Sequence, residues 1–364
     1  MSLPGATAEV DLNALKHNLS VVKNKTLHKK VIAVVKADAY GHGAEPISKA
    51  LVSGGIDMLG VALTHEGIAL REAGITAPVL VFFDRDNAGQ CLKHNLTPAI
   101  FDLQAAKALS GEARKAGRIV PVHIKVDTGM GRIGLDIRKA EEDIAEISAM
   151  KNLRLEGLMS HFSEADLQDK AFALTQIDLF RTLIQKLAHK GITFQHLHMS
   201  NSAAVLSLPD AHFNMVRPGI MLYGNGCCST DELKPVMSLK ARILFIKKVP
   251  AGTPISYGRT FVTKRPSTIA TIALGYADGY SRLLSNTGQA LIKGQRVPIA
   301  GRVCMDTTML DVTDLPEISY ESEVMLMGRQ GMEEITAENL AEQTGTIAYE
   351  VLTSVGQRVQ RIYR

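Results

Sequence analysis

The chain has few of the features that would place it in an oxidising compartment, in a membrane or around a structural metal. It carries only four cysteines, Cys91, Cys227, Cys228 and Cys304, with no CxxC spacing, and the adjacent pair is ill-suited to an ordinary bridge. Reduced thiols are expected, with neither a zinc site nor a disulfide framework. No apolar run reaches the roughly 18 residues that a spanning helix needs. The opening segment MSLPGATAEVDL lacks the charged and apolar regions of a signal peptide. A cytoplasmic protein with no membrane partner follows as the expectation. Basic and acidic residues, 41 and 37 in number, are mixed along the chain, so the net charge of +4 comes without a polybasic block that could follow a nucleic-acid backbone. The small excess suits anionic small molecules.

What is present is enough for a large core: 364 residues, of which 46% are hydrophobic, a length that fits two domains or one barrel with an addition. Eight short apolar runs bounded by turn residues recur at 31–35, 58–62, 79–82, 99–101, 122–126, 155–159, 196–199 and 214–217. Segments with helical apolar spacing lie between most of them, at 66–73, 103–116, 137–150 and 171–190. Strands alternating with helices predict a parallel sheet, and eight repeats favour closure into a (β/α)8 TIM-type barrel. In such a barrel the reactive groups gather at the carboxyl ends of the strands. The polar residues ending these runs, Lys36, Lys125, Asp127, His161, His198, Ser200, Asn201 and Arg217, should then face one mouth. After Gly226 the texture turns β-rich, at 239–249, 255–262, 267–275, 289–297 and 303–311, followed by one short helix at 336–344 and a strand-like tail. The reading is a barrel over residues 1–230 and a mostly β C-terminal domain over 231–364, joined near 229–235.

The segment VIAVVKADAYGHG sets Lys36 at the end of an apolar strand, followed by Tyr40 and two glycines. A poorly solvated amine near other cations loses its proton easily, which makes Lys36 a candidate Schiff-base former. A strand-end lysine that reaches solvent or pairs with Asp38 is the plainer alternative.

Eight motifs in order decide between them: VVKADAYGHG, KVDTGMGRIG from Lys125, SHFSEAD around His161, SNSAA from Ser200, MVRPGIMLYG around Arg217, ISYGRTF from Ile255, GYADGY around Tyr276 and GRVCMD around Met305. Together they make the chain resemble the alanine racemases, pyridoxal-phosphate enzymes built from a barrel and a β domain. The resemblance implies an isomerase that interconverts L- and D-alanine by two-base proton transfer. Lys36 would hold the cofactor and serve the D-enantiomer; Tyr276 would serve the L-enantiomer from the opposite face, assisted by His161. Arg217 would donate to the pyridine nitrogen and, being permanently charged, discourage its protonation. Decarboxylases on the same scaffold place an acidic residue there, so Arg217 argues against them. Tyr40, Ser202, Gly219 and Ile220 would bind the phosphate, with Ser202 opening a helix and Gly219 and Ile220 offering exposed N–H groups. Arg132 would meet the substrate carboxylate, Met305 would add a backbone N–H, and Lys125 corresponds to a lysine carried as a carbamate in many relatives. No metal is implied. Tyr276 and Met305 lie in the C-terminal domain, which implies active sites shared across a homodimer. Gln357 stands where some relatives carry a phosphate-facing tyrosine, and Asp166, Arg302 and Tyr257 are expected near the entrance. A racemase of serine or of broader specificity, and a cofactor-binding barrel without turnover, remain alternatives. So do two roles for the product, as a peptidoglycan precursor or in alanine catabolism.

Overall fold

The computed structural model describes residues 5–226 and 232–364. Cys227, Cys228, the proposed division at residue 230 and part of the expected join at 229–235 lie outside the described residues. Eight strands form the continuous path of the parallel sheet, Lys30–Val34, Met58–Val61, Val79–Val81, Thr97–Ile100, Val120–Asp127, Leu153–Met159, His196–His198 and Met215–Val216, and a ninth, Leu135–Asp136, pairs off that path with Val120–Asp127. Each of the eight matches an apolar run to within a few residues. Met58–Val61, Val79–Val81 and Thr97–Ile100 are buried along their whole length, as strands covered on both faces must be. The last strand returns to the first, pairing Met215 with Lys30 and Val216 with Val31. Between the seventh and eighth strands, closure rests on Leu197 N–H to Asn214 Oδ1 at 2.7 Å and Arg217 N–H to the Ser200 carbonyl at 2.8 Å. The barrel is thus nearly closed, with its seam at the strand that delivers Arg217.

The second region is mostly β. Its larger sheet runs Gln295–Pro298, Gln289–Ile292, Val324–Gln330, Met237–Ala241, Ala6–Val10 and Gln360–Tyr363, and a second holds Ile243–Val249, Ser267–Ile272 and Thr308–Asp311. Three details depart from the sequence expectation. The run 239–249 is two strands, in different sheets, separated at Arg242. The tail is not strand alone, because helix Ala348–Ser354 precedes Gln360–Tyr363. Ala6–Val10, ahead of the barrel in sequence, lies between Met237–Ala241 and Gln360–Tyr363, so both ends of the chain are woven into the far sheet. Asp11 then caps helix Leu12–Lys25, accepting the N–H groups of Asn13 and Ala14. One hydrophobic core runs from Val31, Leu59 and Leu80 of the barrel to Leu239, Leu291 and Leu326 of the second region, which fixes the two against each other.

Candidate functional site

Lys36 begins a turn that the sequence pattern does not foretell. Ala37, Asp38, Ala39 and Tyr40 all have positive φ, at 52°, 53°, 53° and 54°, so four residues with side chains follow a left-handed path. Each costs about 1–2 kcal/mol relative to a right-handed turn. The turn persists because its polar groups are held from several sides: Ala37 N–H donates to Glu66 Oε1 at 2.6 Å, and Ala44 N–H donates to Asp38 Oδ1 at 2.6 Å. Asp38 therefore holds the loop, and no salt bridge joins it to Lys36 among the described residues. The Lys36 ammonium stands 5.5 Å from the centre of the Phe83 ring, and Arg132 stands 5.1 Å from the same ring. Burial and then Arg132 lower the proton affinity of Lys36, while Glu66 opposes them.

Lys36 lines a cleft together with Tyr40, Lys125, Arg132, His161 and Arg217. Asn201, Ser202, Gly219, Ile220, Phe83 and Tyr349 complete its polar and aromatic wall. Of the eight strand-end polar residues expected at the mouth, five are here. The other three sit elsewhere for clear reasons. Ser200 donates to the Ala211 carbonyl at 2.7 Å, and His198 lies beneath Arg217. Asp127 accepts from the N–H groups of Gly129, Met130 and Gly131, and so ties down the loop that carries Arg132.

Arg217 is buried at the centre. Its Nη2 donates to the carbonyls of Ser160 at 2.7 Å and Met199 at 3.1 Å and to His161 Nδ1 at 3.2 Å; its Nη1 donates to His198 Nδ1 at 2.8 Å. A guanidinium only donates, so both imidazoles accept at Nδ1 and carry their proton on Nε2. His198 Nε2 then donates to His123 Nδ1 at 2.8 Å. Gly157 leaves room for the His123 ring, because a Cβ there would lie 2.5 Å from His123 Nδ1. Burial, reinforced by Arg217, pushes the proton affinities of His161 and His198 far down, so both rings are neutral. Burial and Arg132 bring Arg217 down to about 9, which leaves it cationic at neutral pH.

Lys125 is 2% exposed. Burial, then Arg217 and Arg132, pull its proton affinity down to about 7, against a smaller opposing pull from Asp127. At the other end of the cleft, Ser202 Oγ accepts the N–H groups of Gly219 at 2.9 Å and Met221 at 3.3 Å. Gly219 and Ile220 are buried rather than exposed, and the cap of helix Ser202–Ser207 is Asn201, whose side chain accepts from Ala204 N–H. Gly219 is needed for the approach of Tyr40, since a Cβ would collide with its hydroxyl.

Tyr276 and Met305 do not line this cleft. They stand together on the second region, where Tyr276 N–H donates to the Cys304 carbonyl and Ala277 N–H to the Met305 carbonyl, both at 3.0 Å. Both side chains are exposed, at 43% and 52%. Tyr257 is more exposed still, at 71%, on a turn in which Ser256, Gly258 and Arg259 have φ of 65°, 70° and 51°. Gln357 is exposed and away from the cleft, whose C-terminal tyrosine is Tyr349, packed 6.0 Å from the Tyr40 ring. Sequence reading missed Phe83, Glu66 and Tyr349. The FF pair ending the third barrel run was a usable signal for Phe83; nothing local marks the other two.

Two family models cover the chain, the alanine racemase N-terminal domain over residues 10–226 and the alanine racemase C-terminal domain over residues 236–363. An alanine racemase of Thermodesulfovibrio yellowstonii is 47% identical over 361 residues, covering 98% of this chain and 97% of its own. Among solved structures, an alanine racemase of Clostridium difficile superposes with a TM-score of 0.94 at 37% identity, over 100% of this chain and 96% of its own. One from Bartonella henselae, with covalently bound pyridoxal phosphate, superposes at 0.90 with 29% identity over 100% of both chains. With both domains matched in order and the cleft built from the residues just described, this chain belongs to the alanine racemase family.

Proposed function

We propose that this protein interconverts L- and D-alanine, with Lys36 as the base on one face of the α-carbon and a tyrosine from a second copy on the other. The observation that carries the reading is the pairing, in one cleft, of an amine whose proton affinity is lowered with a buried Arg217 that is cationic at neutral pH. The cleft fits pyridoxal phosphate by its donor set. Lys36 offers the amine for covalent attachment, Tyr40, Ser202, Gly219 and Ile220 would hold the phosphate, and Arg217 with His161 would serve the pyridine ring. When bound, the cofactor supplies the electron sink that acidifies the α-proton.

The chain's own groups then set the outcome. Lys36 takes or returns the proton at Nζ, and its nearness to Arg132 favours the neutral amine. Arg217, held by two carbonyls and two imidazoles, offers a positive charge where a carboxylate would offer a negative one, which restrains side reactions. Arg132 suits a planar substrate carboxylate. Lys125 at about 7 has enough neutral amine to react with carbon dioxide, giving a carbamate anion and a proton. That charge reversal relieves the crowding of Lys125, Arg132 and Arg217, and labelled carbon dioxide would report it as a carbamate signal in carbon NMR.

The site is completed by a homodimer in this reading, because Tyr276, Met305 and Tyr257 are exposed and outside their own chain's cleft. Tyr276 is the base expected from the sequence. The strained, highly exposed turn favours Tyr257 instead, since backbone strain is retained where a side chain must be presented in one pose. The free thiols Cys91 and Cys304 suit a cytoplasmic setting. Chiral analysis of cofactor-loaded protein with L-alanine, L-serine and L-lysine tests the activity and separates alanine from wider specificity. Proton exchange in heavy water then assigns the second base: the Tyr→Phe variant that slows loss of the proton from L-alanine by about 10²-fold or more, while sparing D-alanine, identifies it. If Tyr257→Phe and Tyr276→Phe both leave the two directions equal, the two-base reading fails.

A further inference from the structure

The two glycines of AYGHG are explained neither by the cleft nor by the proposed chemistry. Gly41 and Gly43 have φ of 81° and 94°, and a Cβ on either would collide with the C-terminal segment, with the Leu352 carbonyl at Gly41 and the Tyr363 hydroxyl at Gly43. The C-terminal segment is thus pressed, at Leu352 and at Tyr363, against the end of the left-handed turn that starts at Lys36. The turn closes its first three carbonyls itself, Ala37, Asp38 and Ala39 accepting the N–H groups of Gly41, Gly43 and His42 at 3.0, 2.9 and 3.1 Å, and the carbonyls that follow need donors from outside the main chain of the turn. Side chains supply those donors for the Tyr40, Gly41 and His42 carbonyls. His42 Nδ1 lies 3.0 Å from the Ala39 carbonyl and 2.9 Å from the Tyr40 carbonyl. Arg361 donates to the Gly41 carbonyl twice, from Nε at 3.1 Å and Nη2 at 3.0 Å. Tyr363 donates its hydroxyl to the His42 carbonyl at 3.1 Å. Burial holds the His42 imidazole down to about 4, so it remains a neutral donor.

Arg361 also gathers its own segment, donating to the carbonyls of Val355 at 2.5 Å, Val359 at 2.8 Å and Gly356. Its acceptors are main-chain carbonyls, and they come from two elements far apart in sequence. We propose that Arg361 is a positioning residue for Lys36: by fastening the C-terminal segment to the Gly41 carbonyl, with Tyr363 beside it, it holds the left-handed turn that aims Lys36 and Tyr40 into the cleft. The consequence for function rests on the reading of Lys36 as the cofactor-bearing base; the mechanical consequence does not. Lysine cannot replace the fork, because an ammonium on a flexible stem does not span both the Gly41 carbonyl and the tail carbonyls.

The test uses the full-length, cofactor-loaded protein with Arg361→Lys and Tyr363→Phe, compared by hydrogen exchange and by kinetics. In Arg361→Lys, exchange quickens in residues 36–43 while the barrel strand Val120–Asp127 is unchanged. kcat falls about ten-fold with KM nearly constant, since misplacing the base affects the reacting geometry more than binding. Tyr363→Phe, which removes one hydroxyl only, shows the same local quickening to a smaller degree. Unchanged exchange at 36–43 in both variants overturns the proposal, as does quickening spread evenly over the second region, which is what a merely structural arginine would give. Should Arg361→Lys fail to fold, Tyr363→Phe alone must show the local effect. A wild-type protein without racemase activity, together with the local exchange effect in the two variants, would remove the racemase reading and leave the clamp standing.

Discussion

Arg217 and Tyr257 are both in the motifs that carry the family resemblance, yet the fold treats them in opposite ways. Arg217 is enclosed, with two carbonyls and two imidazoles accepting from its guanidinium, so its position is settled within one chain. Tyr257 is 71% exposed on a turn of the second region flanked by Ser256 and Arg259 at positive φ, and Tyr276 and Met305 of the same region are exposed at 43% and 52%. The barrel side is finished in isolation. The other side looks outward, and a second copy of the chain is the proposed source of what it meets.

The comparison breaks most sharply at Lys36. Lys36→Ala should abolish racemisation in both directions, a loss of more than about 10³-fold in chiral assays, and borohydride should no longer fix cofactor to the chain. Loss in one direction only would show that the barrel side is not the shared element. Mixing two inactive chains sharpens the contrast further. Lys36→Ala co-expressed with Tyr257→Phe should regain about a quarter of normal activity, because half of a random mixture is heterodimer and each heterodimer has one intact site. No recovery would place both groups in one chain's site.

The enclosed side should also show itself in stability. Arg217→Gln leaves buried carbonyls short of donors and should cost about 3 kcal/mol in denaturant unfolding, whereas Tyr257→Phe should cost nearly nothing. Acid probes the same enclosed side. His42, His123, His161 and His198 are kept neutral by burial, His42 at about 4 and His123 at about 3. An unfolded histidine takes its proton near pH 6.5, so below that value the unfolded chain binds protons that the folded chain refuses. The stability these rings contribute is complete above about pH 6.5 and falls with acid, by about 1.4 kcal/mol per pH unit for each ring until its folded value is reached. Calorimetry between pH 8 and pH 5 should show this slope, and His123→Asn should reduce it.

Much of this was readable in advance. All eight barrel strands follow from short apolar runs, and Lys36, Lys125, His161 and Arg217 meet in the cleft because each ends such a run. Asp127 was misleading for a local reason: its oxygens serve the Gly129 to Gly131 turn, a use that residue type alone does not reveal. Glu66 and Tyr349 were invisible because each reaches the site from an element distant in sequence.

Periodicity and turn chemistry act over a few residues, so the chain by itself determined its barrel, the strand-end lysine and the arginine beside Pro218-Gly219. Tertiary structure alone decided that Ala6–Val10 joins the far sheet, that Arg361 and Tyr363 grip the turn after Lys36, and that Tyr257 stands exposed between Ser256 and Arg259, both at positive φ. Those outcomes depend on carbonyls and strands hundreds of residues apart meeting in space, and no local pattern records such a meeting.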